Sequence, residues 1–306
     1  WGRITGGQAD AEGETTSGIG TYSNEIEAEY AGVQVGTDAS CFDGTFNGWN
    51  LGFGSSLGQN QGNTSQPVFA FDPTAPSGDQ IDFDTVTSVT DTDFTQTYAA
   101  LYMTASRGLF FGDLQYRYEV TEYEVENRGV NGNNPLGVAD QDYASIGQTL
   151  SGAAGYTFVL SEERRIGLTP TVGFSLSNIE VDPISFTNAP GTTDDQTLEI
   201  DDIESRVGFA GLVVAQQRIL DGGTAAITYA GTATYYNDFN DGTTSTLLDN
   251  TGAALSEIEN AGLGAFGEIS LSVDYSQILD SGSAVPARQL DANVRLDGRY
   301  SDTLDS

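Results

Sequence analysis

Residues 109–120 read LFFGDLQYRYEV. Phe110, Leu114, Tyr116, Tyr118 and Val120 share one parity, with Gly112 among them, while Asp113, Gln115, Arg117, Glu119 and Thr121 share the other. Successive side chains of a strand point to opposite sides, so this repeat of two marks a strand with one apolar and one charged face. The pattern recurs along the chain. Val33 and Val35 alternate with Gln34, Gly36 and Asp38. Trp49, Leu51, Phe53 and Leu57 alternate with Asn50, Gly52, Gly54 and Gly58. Ile269, Leu271, Val273 and Tyr275 alternate with Glu268, Ser270, Ser272 and Asp274. Leu290, Ala292, Val294, Leu296 and Tyr300 alternate with Asp291, Asn293, Arg295, Asp297 and Arg299. Helical periodicity is scarce, and the fold class is all-β.

Composition removes several kinds of chemistry. The 306 residues carry 44 acids against 11 cations, all of them Arg, for a net charge of −33. Phosphate backbones need clustered cations, so nucleic acid is excluded as a partner, and so is docking on an anionic bilayer by charge attraction. With no His, Ser-His-Asp and Cys-His catalysis cannot be assembled, nor can imidazole zinc sites. Cys41 is the single cysteine and has no internal disulfide partner. It reads as a small residue near a strand end. Asp79, Asp82, Asp84, Asp91 and Asp93, and the pair Asp194-Asp195, offer oxygen ligands of the kind Ca²⁺ takes. They lack EF-hand spacing and read as solvated loops. Carboxylate pairs of the glycosidase type are expected by chance among so many acids. No enzyme activity, cofactor or metal is expected.

One-sided apolar strands suit two architectures. A soluble sheet buries the apolar face; a membrane barrel turns it to lipid and the polar face to a wet interior. Connection lengths separate them. Breaks fall near residues 7–25, 42–48, 59–93, 107–109, 127–142, 161–165, 187–198, 220–223, 240–262 and 280–288, and they alternate long and short. Short turns at one end and long loops at the other describe a transmembrane up-and-down antiparallel β-barrel. Eleven strands are legible, the first at 1–6 and the last at 289–301. An even number returns both ends to one side, and an open edge in lipid leaves backbone groups unpaired. Twelve strands are therefore expected, with the last one missing from this sequence. Residues 1–306 are expected to form one barrel domain, trimmed at both ends.

In such a barrel Gln34, Asp38, Asp113, Gln115, Arg117, Glu119, Glu268, Asp274, Asp291, Arg295, Asp297 and Arg299 face the lumen. They either hold a segment inside the pore or pair with one another across neighbouring strands; the two roles are compatible. Trp49, Phe53, Tyr116, Tyr118, Tyr275 and Tyr300 fall on the lipid-facing side, as members of the apolar belt and its aromatic girdles. Tyr98 and Tyr102 have the polar parity and are not girdle residues. Glycines at lumen positions, as in GFGSSLG (52–58), make room for something close inside.

The ordered series WGRITGG (1–7), YAGVQVGTD (30–38), GWNLGFG (48–54), YAALYMTASRGLFFGDLQYRY (98–118), LSGAAGYTF (150–158), LTPTVGFSLS (168–177) and ESRVGFAG (204–211) resembles the β-domain of autotransporters, the type V secretion family. The resemblance is clearest over residues 1–215. It implies a twelve-stranded barrel in the cell outer membrane of a Gram-negative bacterium. It further implies an exported N-terminal passenger, a linker helix threading the pore before the first strand, and insertion by the barrel-assembly machinery. Two family features are absent from this sequence: the terminal strand with its final aromatic, and the linker where some members cut themselves. Asn133-Asn134 matches a cleavage pair in composition only. Two rival readings share the strand pattern: a stand-alone porin-like channel, and a soluble, acidic β-rich surface protein or adhesin.

Overall fold

The computed structural model describes residues 1–17, 20–46, 48–71, 81–130, 140–186, 196–220, 223–240, 242–262, 264–280, 288–301 and 304–305. Asp79, Asp194, Asp195, Asn133 and Asn134 lie outside them, as do the side chains of Cys41 and Asp84.

Eleven long strands build the molecule: β1 (Gly2–Ser17), β2 (Gly20–Phe46), β3 (Trp49–Phe71), β4 (Ile81–Arg107), β5 (Phe110–Gly129), β6 (Gln141–Tyr156), β8 (Ile166–Val181), β11 (Ile203–Leu220), β12 (Ala225–Asp238), β15 (Ala265–Asp280) and β16 (Arg288–Tyr300). Each pairs antiparallel with the next in that order, from β1–β2 through β15–β16. The short β7 (Phe158–Ser161) adds to β8 at the short-turn end. β4 turns into β5 through Gly108 and Leu109 alone, and Gly108 has φ +60°. A two-residue hairpin needs a left-handed residue, and glycine takes that conformation without a Cβ clash.

The opposite end is more elaborate than its sequence suggests. The expected loop 59–93 is largely strand: β3 runs on to Phe71 and β4 starts at Ile81. The expected loop 240–262 contains β13 (Gly242–Leu248) and β14 (Ala254–Ala261). Beside them stand β9 (Ile184–Phe186) and β10 (Gln196–Ile200), in the ladder β9–β10–β13–β14. Their sequences lack the regular alternation that marks a strand, although Ile184, Leu198 and Leu247 share one face of the β9–β10–β13 ladder, and the backbone ladder persists.

The two edges of the long sheet are bridged at one end. β17 (Leu304–Asp305) pairs with Tyr300 of β16 on one side and with Asp10 and Ala11 of β1 on the other, in the twelfth position around the sheet. Above it, β14 pairs with β1 through Asn260↔Thr15 and Glu259↔Thr16. A sheet whose first and last long strands share a neighbour has curled round on itself, the geometry of a barrel.

The β13–β14 turn is held by one carboxylate. Asp249 Oδ1 accepts hydrogen bonds from the Thr251 hydroxyl (2.7 Å), the Thr251 N–H (2.8 Å) and the Ala253 N–H (2.8 Å). The Thr251 hydroxyl first, then the Ala253 and Thr251 amides, hold this carboxyl below its ordinary range. A depressed folded-state pKa favours the turn above the unfolded value and loses that support as pH falls through the folded one. NMR titration should find Asp249 titrating below the ordinary range of an aspartate, with the Thr251 and Ala253 amides moving in step. Independent titration of those amides contradicts this account.

Candidate functional site

Cross-strand partners share a face, so the register sorts the side chains into two sets. One set contains the ladder Gln34–Gly58–Tyr98–Glu119–Gly147. It also contains Asp38, Asp113, Gln115 and Arg117, and on the far strands Glu268↔Arg299, Ser270↔Asp297, Ser272↔Arg295, Asp274↔Asn293 and Ser276↔Asp291. All twelve residues expected to face a lumen lie on this polar face. The other set contains Val35–Leu57–Ala99–Tyr118, Phe53–Met103–Leu114 and Gly231–Leu271–Leu296. Trp49, Phe53, Tyr116, Tyr118, Tyr275 and Tyr300 belong to this apolar face.

Exposure is inverted relative to a water-soluble fold. Leu57, Leu101 and Leu271 are each more than 60% accessible and Leu296 reaches 72%, whereas Glu268 is 4% accessible and Ser270 2%. Few described apolar side chains are buried; they include Tyr98, Ala100, Val125 and Ala225. A soluble sandwich turns its apolar faces inward and does not leave an apolar band of this extent in water. The soluble rival fails on this observation.

The polar face is built by glycine and aromatics together. A Cβ on Gly54 would lie 2.2 Å from Tyr102 Cζ, on Gly58 2.3 Å from Tyr98 Cζ, and on Gly62 2.5 Å from Phe94 Cζ. The three β4 rings therefore lie against bare β3 backbone. Arg117 covers Tyr98, with Cζ 3.8 Å from the ring centroid, and pairs with Glu119 Oε2 at 2.7 Å while donating to Gln96 Oε1 at 2.8 Å. Trp1 Nε1 donates to Asp38 Oδ1 (3.2 Å) and to Tyr102 Oη (2.9 Å), and Tyr102 Oη donates to the same Asp38 oxygen. Gln34 donates to Ser56 Oγ at 2.8 Å. Spacing of four between the β3 glycines was the legible signal for this wall; the rings that fill it come from β4 and could not be assigned without the register.

A second cluster stands on β15 and β16. Glu268 accepts from Arg295 Nη2 (3.0 Å), Arg299 Nε (2.9 Å) and Ser270 Oγ (3.2 Å). Arg295 Nε reaches Asp297 Oδ1 at 2.5 Å, and Asn293 donates to Asp274. Beside it, Tyr236 stacks on Phe266 with centroids 4.7 Å apart and meets Phe209 at a tilt at 5.4 Å, a row of rings across β11, β12 and β15. Nothing in the sequence singled out that stack. On the apolar face, Trp49 meets Phe110 edge-on at 5.7 Å near the short-turn end, with Arg107 5.9 Å above its ring. Tyr116 Oη donates to Gln148 and Tyr275 Oη to Gln277, each at 2.9 Å.

Gly58→Val should force Tyr98 off β3 and cost about 1–3 kcal/mol, the usual range for overpacking. The double variant with Tyr98→Ala should cost less than the sum of the two single changes. Urea unfolding of the refolded protein measures this, and strict additivity would show that the ring does not depend on the missing Cβ.

A family model described as autotransporter β-domain matches residues 1–277. The chain belongs to the autotransporter β-domain family. The fold agrees with it. The transport unit of the autotransporter AIDA-I from Escherichia coli superposes with a TM-score of 0.61 at 14% identity, covering 100% of this chain and 86% of that one. The translocator domain of the autotransporter NalP from Neisseria meningitidis gives 0.56 at 13% identity, over 99% and 84%. The β-domain of the Bordetella autotransporter BrkA gives 0.54 at 12% identity, over 99% and 94%. No curated protein sequence matches the chain. This autotransporter β-domain is an outer-membrane β-barrel translocator domain, a transport unit in type V secretion. Among its described residues no group of three Asp, Glu or Cys is arranged to hold a metal ion.

Proposed function

We propose that residues 1–306 form a single barrel that anchors an N-terminal passenger in the outer membrane and serves its export. The twelve polar-face residues line the lumen, and the six girdle and belt residues face lipid. The observation that carries this reading is the inverted exposure of the two faces: leucine outside, Glu268 and Ser270 inside. Lipid covers an exposed apolar face at no cost in ordered water. Aromatics bracket the belt: Tyr229 and Tyr275 towards the short turns, Tyr235 and Tyr300 towards the long loops. At roughly 3.4 Å per residue, the run from Tyr275 to Gly267 is about 27 Å long. Tilted by about 40°, it spans about 21 Å, close to the ~25 Å apolar band of outer-membrane barrels.

The lumen wall works by position. Its Arg117, Arg295 and Arg299 are paired within the sheet with Glu119 and Glu268, and its aromatic rings lie against glycine backbone, an arrangement that suits a hydrated wall around a linker segment. Insertion follows from the barrel-assembly machinery acting on the strand edges. Reconstitution tests the reading. The refolded protein should enter phospholipid vesicles, resist alkaline extraction and migrate differently before and after boiling. A protein that stays in the aqueous phase and is fully digested by trypsin in the presence of vesicles would overturn it.

A further inference from the structure

Away from the polar face, six arginines have described side chains, and they divide by the end of the sheet on which they stand. The two near the long loops are paired, Arg128 with Asp91 and Arg206 with Glu204. The four near the short turns, Arg107, Arg164, Arg165 and Arg218, are exposed and form no ion pair among the described residues. Glu162 and Glu163 stand in the same turn as Arg164 and Arg165 and pair with neither. In a chain with 44 acids and 11 arginines, cations left without acids at one end call for a counter-charge from elsewhere.

Three of the four are gathered at one corner. The turn between β7 and β8 is fastened to β11: Arg165 O accepts from the Gln217 N–H at 3.1 Å, Arg164 O accepts from Gln216 Nε2 at 3.4 Å, and Arg165 Nη1 donates to Gln217 Oε1 at 3.3 Å. Arg164 and Arg165 are thereby held beside Arg218. Arg165 has φ +51°, a left-handed conformation that costs a side-chain-bearing residue more than glycine, yet an arginine occupies it. The register puts Arg218 on the apolar face, in one row with Ile227 and the girdle residue Tyr275. Arg107 has the same parity; it pairs with Phe110 and lies over the Trp49 ring at 5.9 Å. At the long-loop end the corresponding face carries the row Asp93–Glu124–Asp142, which repels anions.

We propose that the corner formed by the β7–β8 turn and β11, with Arg164, Arg165 and Arg218, binds the phosphate headgroup of an anionic phospholipid in the periplasmic leaflet. The inference rests on the reading of the apolar face as lipid-facing. Short turns lie on the periplasmic side of an outer-membrane barrel, so these guanidinium groups stand where the headgroups of that leaflet begin. A guanidinium presents a planar fork of donors that matches phosphate oxygens. Ile227 and Tyr275, in the row of Arg218, offer the acyl chains an apolar seat directly above the headgroup, which a free anion would not use. Arg107 over Trp49 repeats the pairing of cation and interfacial aromatic with a single guanidinium. The rim thus fixes the depth of the barrel in the bilayer through its own lipid.

Lipid retention by the intact protein tests it. The detergent-purified protein is incubated with mixed micelles holding equal amounts of phosphatidylglycerol and phosphatidylcholine, re-isolated, and its bound lipids are quantified by mass spectrometry. The wild type should retain phosphatidylglycerol over phosphatidylcholine by about fivefold or more, the contribution of one arginine at a headgroup. The triple variant Arg164→Gln, Arg165→Gln, Arg218→Gln should bring the ratio to about one. Arg218→Gln alone, which leaves the turn untouched, should lower it by about twofold or more, and it carries the test if the triple variant loses heat-modifiable mobility. Arg128→Gln with Arg206→Gln should leave the ratio unchanged, and so should inorganic phosphate added at the concentration of the lipid. A wild-type ratio of one, or arginine variants that keep the wild-type ratio, overturns the inference and leaves the barrel reading standing. Displacement by inorganic phosphate reveals a simple anion site and overturns the lipid assignment. A protein that is soluble without detergent and retains neither lipid overturns both readings.

Discussion

Leu271→Arg should destabilise the barrel in a bilayer by about 2–4 kcal/mol, the cost of a cation near the middle of the lipid-facing band. Leu271 is 63% accessible and lies between Gly231 and Leu296 on the apolar face. On a water-soluble protein the same exposed position would tolerate Arg to within about 0.5 kcal/mol. The prediction thus separates the two environments on the sign and size of one number. Ser272→Arg, one residue on and facing the other way, should cost far less, because that face is polar and wet. Urea titrations of vesicle-refolded protein give both values. Equal costs at the two positions would contradict the assignment of faces.

Glu268→Ala is expected to cost about 2–3 kcal/mol. Glu268 is 4% accessible and accepts from Arg295, Arg299 and Ser270. Hydrogen bonds to a charged group contribute about 1.5–3 kcal/mol. Losing one partner of a fully buried pair costs about 3–5 kcal/mol. The arginines here are about half exposed, at 45% and 52%, and can rehydrate, which places the effect below that range. β16 is the last long strand of the sheet, and Glu268 joins it to β15, so the damage should concentrate at the β16 edge. Hydrogen exchange should show Val294–Arg299 amides losing protection ahead of those in β4 and β5. Uniform loss across the sheet would contradict a local role.

Within the belt, the strands were legible from the chain alone. Phe110–Thr121 and Ile269–Tyr275 alternate because one side meets apolar surroundings and the other a polar interior, and the register repeats that parity from β1 to β16. The short turn at Gly108–Leu109 was legible for the same reason: there the alternation stops abruptly. Beyond the belt the regular alternation of apolar and polar residues lapses. The stretch from Gln59 to Phe71 and its partner from Ile81 to Phe94 read as loop, although their backbones pair along nearly their whole length. The lumenal residues were assigned to a face but not to partners. Nothing local says that Arg117 covers Tyr98, or that Trp1 reaches Tyr102 across β2 and β3. Those are properties of register between strands distant in sequence, and the glycine spacing in β3 was their one local trace.

The most direct test is a nitroxide scan along β15 in vesicles. Labels would be attached at each position from Glu268 to Ser276 in a Cys41→Ser background, with collision rates measured for oxygen, which concentrates in lipid, and for a water-soluble nickel chelate. The account predicts strict alternation: Ile269, Leu271, Val273 and Tyr275 accessible to oxygen, and Ser270, Ser272 and Asp274 accessible to the chelate or shielded from both. An inverted phase, or oxygen and chelate reaching both parities alike, would contradict a barrel with leucine in lipid and Glu268 in its interior.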